Sequence, residues 1–321
     1  MSPHPADPPH LSAVPGDGPD RPRSASATRR RRSAARRRRP RTAFVLSGGA
    51  SLSAMQAGML RALYELNVAP DLLVATSAGA LNATFVASRP QTLATARELG
   101  RIWRGLHRDD LFPVSPWTML RGVLGKRDHL VPDGGLRTLV ERHLQFDDLA
   151  DAPIPLHLVA YDVDRGCEVL LSEGPALEAV AGSAAVPGVF PPVRFGDRRL
   201  IDGGVVNNTP ISHAVALGAE RVYVLSTQDA APRPSRAPRG ALGAAVGAVG
   251  LLVGARLEAD LARYAGEVEL IVLPARNPLD VEPTDFGHAG RLIRDGLAAG
   301  RRRLALPLEP VALHGRLRAS G

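Results

Sequence analysis

The residue best placed by its neighbours to do chemistry is Ser77, in the run Leu72-Leu73-Val74-Ala75-Thr76-Ser77-Ala78-Gly79-Ala80. The residues up to Thr76 read as a short buried strand and those from Ala78 onward as a helix, so Ser77 falls at the turn between them. Such a turn holds serine in a strained backbone and projects its hydroxyl from the sheet edge. Ala75 and Gly79, two before and two after, are small enough for strand and helix to approach. The helix N-terminus favours negative charge developing beside it. The pattern is G-x-S-x-G with Ala75 at its first position. In a chain so rich in alanine, the motif taken alone fits a structural serine equally well.

A serine nucleophile needs donors for a developing oxyanion and a base for its proton. Ser47-Gly48-Gly49-Ala50 lies between an apolar run, Thr42–Ser47, and a helical pattern ending near Leu66. Glycines there allow backbone N–H groups to face a substrate oxygen. The other readings are a plain tight turn and a phosphate cradle. The chain lacks the Gly-Lys-Ser/Thr of a P-loop and has no G-x-G-x-x-G at this loop.

The candidate base is Asp202, in Leu200-Ile201-Asp202-Gly203-Gly204-Val205-Val206-Asn207-Asn208-Thr209-Pro210. It ends an apolar strand, and Gly203 and Gly204 give close backbone access. Drying such a carboxyl raises its pKa toward the range of a working base. Most Asp-Gly pairs are only turns. A second one, Asp133-Gly134-Gly135, precedes the helical stretch Leu136–Leu144 and is expected to be a cap or turn. Among nine histidines, His288 is the one serious rival base, because it sits in a loop after Asp202 in chain order. A Ser77–His288–acid triad of the α/β-hydrolase kind is therefore the alternative enzyme. A lipid-binding scaffold without catalysis is the alternative outside enzymes.

These groups need a frame. Strand, tight turn and helix occur twice between Thr42 and Ala87, the sign of a parallel sheet covered by helices. Further strands are expected at Leu156–Asp162, Glu168–Ser172, Arg199–Asp202, Arg221–Thr227 and Val268–Leu273. Helices are expected at Pro175–Ser183, Pro210–Leu217, from Ala241 and at Arg291–Leu304. Residues 93–150 read as helical and irregular, and Asp109–Arg127, with Trp117, Met119, Leu120 and Val123, as a cap over the site. The expected organisation is a disordered Arg/Pro/Ser-rich tail over 1–40 and one catalytic domain over 41–321.

The net charge of +8 resides in the tail: residues 1–42 hold eleven Arg and three Asp, and the remainder is neutral. A neutral body argues against a nucleic-acid partner. The tail reads as solvated, or as a peripheral contact with an anionic membrane. A single cysteine, Cys167, rules out an intrachain disulfide and fits a cytoplasmic location. No apolar run reaches the roughly 18 residues of a membrane span; the nearest is the Gly-rich Ala241–Ala255.

Three segments, Leu46–Leu60, Ala75–Ala80 and Gly182–Pro210, resemble the patatin-like phospholipases in order and spacing. The third carries Ala185-Val186-Pro187-Gly188-Val189-Phe190-Pro191-Pro192 ahead of Asp202-Gly203-Gly204, Asn208 and Pro210, and the likeness runs over about residues 42–305. The resemblance implies a three-layer α/β/α fold with a mainly parallel central sheet. It implies hydrolysis of acyl esters of phospholipids or related lipids, without metal or cofactor, by a Ser–Asp dyad rather than a triad. The nucleophile falls on Ser77, the dyad acid on Asp202 and the oxyanion loop on Gly48, Gly49 and Ala50. The chain departs from the pattern at Ala50, Ser53 and Ala75, where glycine is usual, and at Leu52, where a basic residue is usual.

Overall fold

Strand β1 (Thr42–Leu46) and strand β2 (Leu72–Thr76) are buried at every residue. Phe44, Leu46, Leu73 and Ala75 belong to one apolar cluster, and Ala43, Val45, Leu72 and Val74 to another. Successive side chains point to opposite faces of a strand, so both faces of this sheet are covered. The computed structural model describes residues 39–112, 129–228, 240–274 and 281–306. The Arg-rich tail, the stretch with Trp117, Met119, Leu120 and Val123, and the Pro/Arg-rich loop before residue 240 lie outside them. The compact unit described here begins at Pro40.

After β1 a 3-10 turn (Ala50–Ser53) leads into α1 (Ala54–Glu65), and after β2 comes α2 (Ala78–Ala87). Then follow α3 (Leu93–Gly105), α4 (Arg108–Leu111) and α5 (Gly134–His143). Strand β3 (Leu156–Asp162), strand β4 (Cys167–Leu171), α6 (Ala176–Ser183), β5 (Val193–Phe195) and β6 (Arg198–Asp202) come next. The last part holds α7 (Gly204–Asn207), α8 (Ile211–Ala216), β7 (Arg221–Leu225), α9 (Gly240–Tyr264), β8 (Glu269–Leu273) and α10 (Ala289–Ala305). Strands β3, β2, β1, β7 and β8 are mutually parallel neighbours, and β4, β5 and β6 add antiparallel pairs. The larger cluster takes residues from α1, α2, α3, α5, α6 and α10, the smaller one from α8 and α9. The architecture is the expected three-layer α/β/α with a mainly parallel sheet.

The register of β3 explains how distant segments meet. Leu156–Val159 pair in parallel with Leu73–Thr76, and Ala160–Asp162 pair antiparallel with Asp202–Leu200. Strand β4 pairs with Leu158–Asp162 and overlaps both of these ranges. It must therefore occupy the opposite edge of β3, because each residue has only two edges. Hence β2 and β6 share one edge and meet end to end on it. Thr76 lies opposite Val159, and Asp202 opposite the next residue, Ala160. The end of β2 delivers Ser77 to the point where β6 delivers Asp202.

Candidate active site

Ser77 begins α2 with φ 57° and ψ −131°, a conformation costing on the order of 1–3 kcal/mol for a residue with a side chain. The surroundings hold it there. Its N–H donates to Ser183 Oγ at 3.1 Å, and that hydroxyl donates to the Val159 carbonyl at 2.6 Å. Thr76 Oγ1 donates to the Asn207 carbonyl at 2.9 Å. Gly79 lets the first turn of α2 lie on the end of β1: a Cβ there would sit 2.3 Å from the Leu46 carbonyl oxygen. Strain at the nucleophile position is thus maintained by hydrogen bonds and by backbone contact.

Ser77 Oγ donates to Asp202 Oδ2 at 2.5 Å. The second carboxylate oxygen, Oδ1, accepts the Gly204 N–H at 2.7 Å. The Asp202 N–H donates to the Ala185 carbonyl at 2.9 Å, which ties the Ala185–Pro192 segment to the site. Gly203 packs where a Cβ would meet the Val159 carbonyl oxygen at 2.4 Å. Asp202 is only 5% exposed and Ser77 8%. Burial pushes the Asp202 carboxyl up to about 6, against the opposing pull of the Ser77 hydroxyl and the Gly204 N–H. A carboxylate of that basicity beside a serine hydroxyl is able to take its proton near neutral pH.

The glycine loop packs against both. A Cβ on Gly48 would lie 2.8 Å from Ser77 Cβ. The three loop residues are not equivalent. The Gly48 N–H donates to the Asn208 carbonyl at 3.1 Å, and the Gly48 carbonyl accepts from Asn208 Nδ2 at 3.3 Å and from Thr227 Oγ1. Gly48 is therefore a clamp. Among the described residues, the N–H groups of Gly49 and Ala50 meet no acceptor. Ala50 has φ 48°, the strained left-handed region expected of a position where glycine is usual.

Other candidates stand apart. His288 precedes α10 with a half-exposed ring whose nearest carboxylate is Asp285, 3.9 Å away. His213 meets Glu168, and His157 meets Ser172. Asp133 precedes α5 as expected but caps no helix N–H; its carboxylate instead accepts from Arg137 Nε at 2.6 Å. Arginine one turn into the helix competes successfully for the oxygens. Among the described residues no cluster of His, Cys, Asp and Glu is arranged to hold a metal ion.

A family profile described as Patatin-like phospholipase matches residues 44–215, more than half of the chain. The chain belongs to the patatin-like phospholipase family. Lysophospholipase NTE1 of Mycosarcoma maydis is 26% identical over 199 residues, 59% of this chain and 10% of that one. An uncharacterized NTE family protein of Mycobacterium tuberculosis is 33% identical over 171 residues, 52% of this chain and 27% of that one. The matches thus span only a tenth to about a quarter of these relatives. VipD from Legionella pneumophila superposes with a TM-score of 0.47 and 14% identity over 83% of this chain and 66% of that one; so loose a match adds nothing to the topology above. The patatin-like region matched by the profile holds Gly48, Gly49, Ala50, Ser77 and Asp202 together.

Reasoning from sequence missed the buried residues that brace the loop of this patatin-like chain. Gln56 Nε2 donates to the carbonyls of Ser47 at 2.8 Å and Leu225 at 3.0 Å. Asn82 Nδ2 donates to Gln56 Oε1 at 2.8 Å, and Trp103 Nε1 donates to Asn82 Oδ1 at 2.8 Å. The one signal available was polar residues inside apolar helical runs, since a polar group is buried only where it finds partners.

Proposed function

We propose that the protein is a serine lipid acyl hydrolase acting on carboxylic esters of phospholipids or lysophospholipids through a Ser77–Asp202 dyad. Asp202 Oδ2 takes the hydroxyl proton as Ser77 Oγ attacks the ester carbonyl carbon. The carbonyl π pair moves onto oxygen, where the N–H groups of Gly49 and Ala50 receive it, while Gly48 fixes the loop. Collapse of the tetrahedral intermediate expels the alcohol, which leaves with the proton from Asp202. Water then attacks the acyl-serine, giving its proton to Asp202, and the fatty acid departs as Ser77 recovers its own. Donors of this kind are each worth about 3–4 kcal/mol in the transition state.

The observation that supports this reading is the 2.5 Å bond from Ser77 Oγ to a buried carboxylate whose remaining oxygen is held by Gly204. Family membership supports lipid as the substrate class, and one relative is named a lysophospholipase. The test is hydrolysis of a lipid extract with product identification, together with fluorophosphonate labelling. Labelling of wild type and of the Ser77→Ala variant to the same extent would overturn the assignment.

A further inference from the structure

The crossover helix α9 is longer than its task requires. It joins β7 to β8, parallel neighbours of five residues each, about 17 Å long. The helix has 25 residues, about 37 Å. It ends at Tyr264, just before β8 begins, so it descends from the carboxyl ends of the strands toward their amino ends. Its described anchors in the core, Leu257, Leu261 and Tyr264, all lie in its last third. The residues before Leu257 therefore extend about 25 Å toward the strand ends that carry Ser77. The helix also packs on α7, which follows Asp202 directly.

The surplus is chemically uniform. From Ala241 through Ala255 the chain has no charged side chain and no hydrogen-bonding one. Leu251 is 56% exposed and Leu252 71%. A helix that binds another protein needs one apolar stripe, with polar residues elsewhere; one that is apolar on every side suits hydrocarbon. Fifteen residues make about 22 Å, less than the roughly 30 Å needed to cross a bilayer core, and among the described residues no helix is long and apolar enough to cross. Two more exposed apolar residues flank the dyad. Val205, beside the Gly204 that holds Asp202, is 48% exposed, and Val186, next to the Ala185 bonded to Asp202, is 38% exposed.

We infer that the apolar half of α9 inserts into the acyl region of a lipid surface and, with Val186 and Val205, seats the Ser77–Asp202 mouth on that surface. The surface it meets is an uncharged or zwitterionic lipid interface. Electrostatic attraction through the Arg tail plays no part in this contact. The inference rests on lipid being the substrate of that site, and binding is measurable without catalysis.

The test uses the full chain carrying Ser77→Ala, which cannot turn over lipid, and phosphatidylcholine vesicles in 0.5 M salt, where tail electrostatics are screened. Cosedimentation is expected, with at least a tenfold weaker partition, about 1.4 kcal/mol, when Leu251→Glu and Leu252→Glu are added. On the wild-type background the same pair should lower vesicle hydrolysis by a similar factor and keep soluble-ester hydrolysis within twofold, which also reports an intact fold. A polarity-sensitive fluorophore at Leu252→Cys, with the exposed Cys167 replaced by serine, should shift to the blue on vesicles. Unchanged partition of the double variant, no binding by its parent, or an unshifted fluorophore overturns the inference. So does conversion of a dimer to a monomer by the glutamates with vesicle binding intact, which would make a second copy the occupant. Vesicle binding that behaves as expected without any soluble-ester hydrolysis would remove the dyad reading and leave the docking surface standing.

Discussion

Asp202→Asn should make the protein more stable and nearly inactive. In the folded state burial holds the Asp202 carboxyl at about 6, against an ordinary 3.8. The native state therefore binds this proton more tightly than the unfolded chain does. Stability then falls as pH rises from about 4 to about 6 and stays lower above that range. Each tenfold in proton affinity is about 1.4 kcal/mol, so keeping the carboxylate charged at neutral pH costs folding about 3 kcal/mol. Asparagine removes that cost and preserves the contacts: its Oδ1 accepts from Gly204 and its amide donates to Ser77 Oγ. At roughly 2 °C per kcal/mol for a chain of this size, the melting temperature at pH 8 should rise by roughly 6 °C. Hydrolysis should fall by about 10²–10⁴ for want of a base.

Two measurements check this. Melting curves of wild type and variant at pH 4, 6 and 8 should converge at the acid end and separate as pH rises. The pH dependence of kcat/KM on a soluble ester should climb through about 6 to a plateau, because only the carboxylate is a base. A variant that hydrolyses within threefold of wild type would refute the role of Asp202. A melting difference independent of pH would refute burial as the source of its raised proton affinity.

Ser77→Ala should abolish fluorophosphonate labelling, read by gel fluorescence, and Ser47→Ala should retain it, since Ser47 is fully buried and bonds Thr227. Gly79→Ala drives a Cβ to 2.3 Å from one backbone oxygen and 2.6 Å from another; several kcal/mol of stability should be lost, seen as a large drop in melting temperature. Ala50→Gly relieves the φ of 48° and keeps the N–H, so hydrolysis should persist and stability change by at most about 1 kcal/mol, upward where strain relief exceeds the added chain entropy. A chain beginning at Pro40 should hydrolyse soluble esters at the full rate, any loss being confined to anionic vesicles and fading with salt, as a salt titration would show.

Much of the frame was legible because its signals are local. Short, mainly apolar runs placed β1, β2 and β3 to within a residue, and the strand–turn–helix reading put Ser77 where its backbone is strained. Strand β5 escaped notice because three residues, Val193–Phe195, carry no period. Helix α3 was read only as part of the helical and irregular stretch 93–150, without bounds, because Leu99 and Trp103 stand among many charges, although its apolar face is pronounced. Asp133 was read as a cap or turn residue from its position alone; it stands in the turn before α5, and the arginine one turn later decided the partner of its carboxylate.

The site itself was legible only as types. Sequence names a serine, an aspartate and a glycine loop, but their meeting depends on β3, whose one edge carries β2 and then β6 end to end. Pairing is a long-range choice, and no pattern within either strand states it. The same limit applies to Gly48, Gly49 and Ala50. As letters they form the one proposed oxyanion motif, yet Asn208 and Thr227, 160 and 179 residues away, engage both polar groups of Gly48. What separates a clamp from a donor is whether an acceptor already stands before the N–H. That is decided by chain segments remote in sequence, so the division of labour within the loop emerges only once the fold has brought them together.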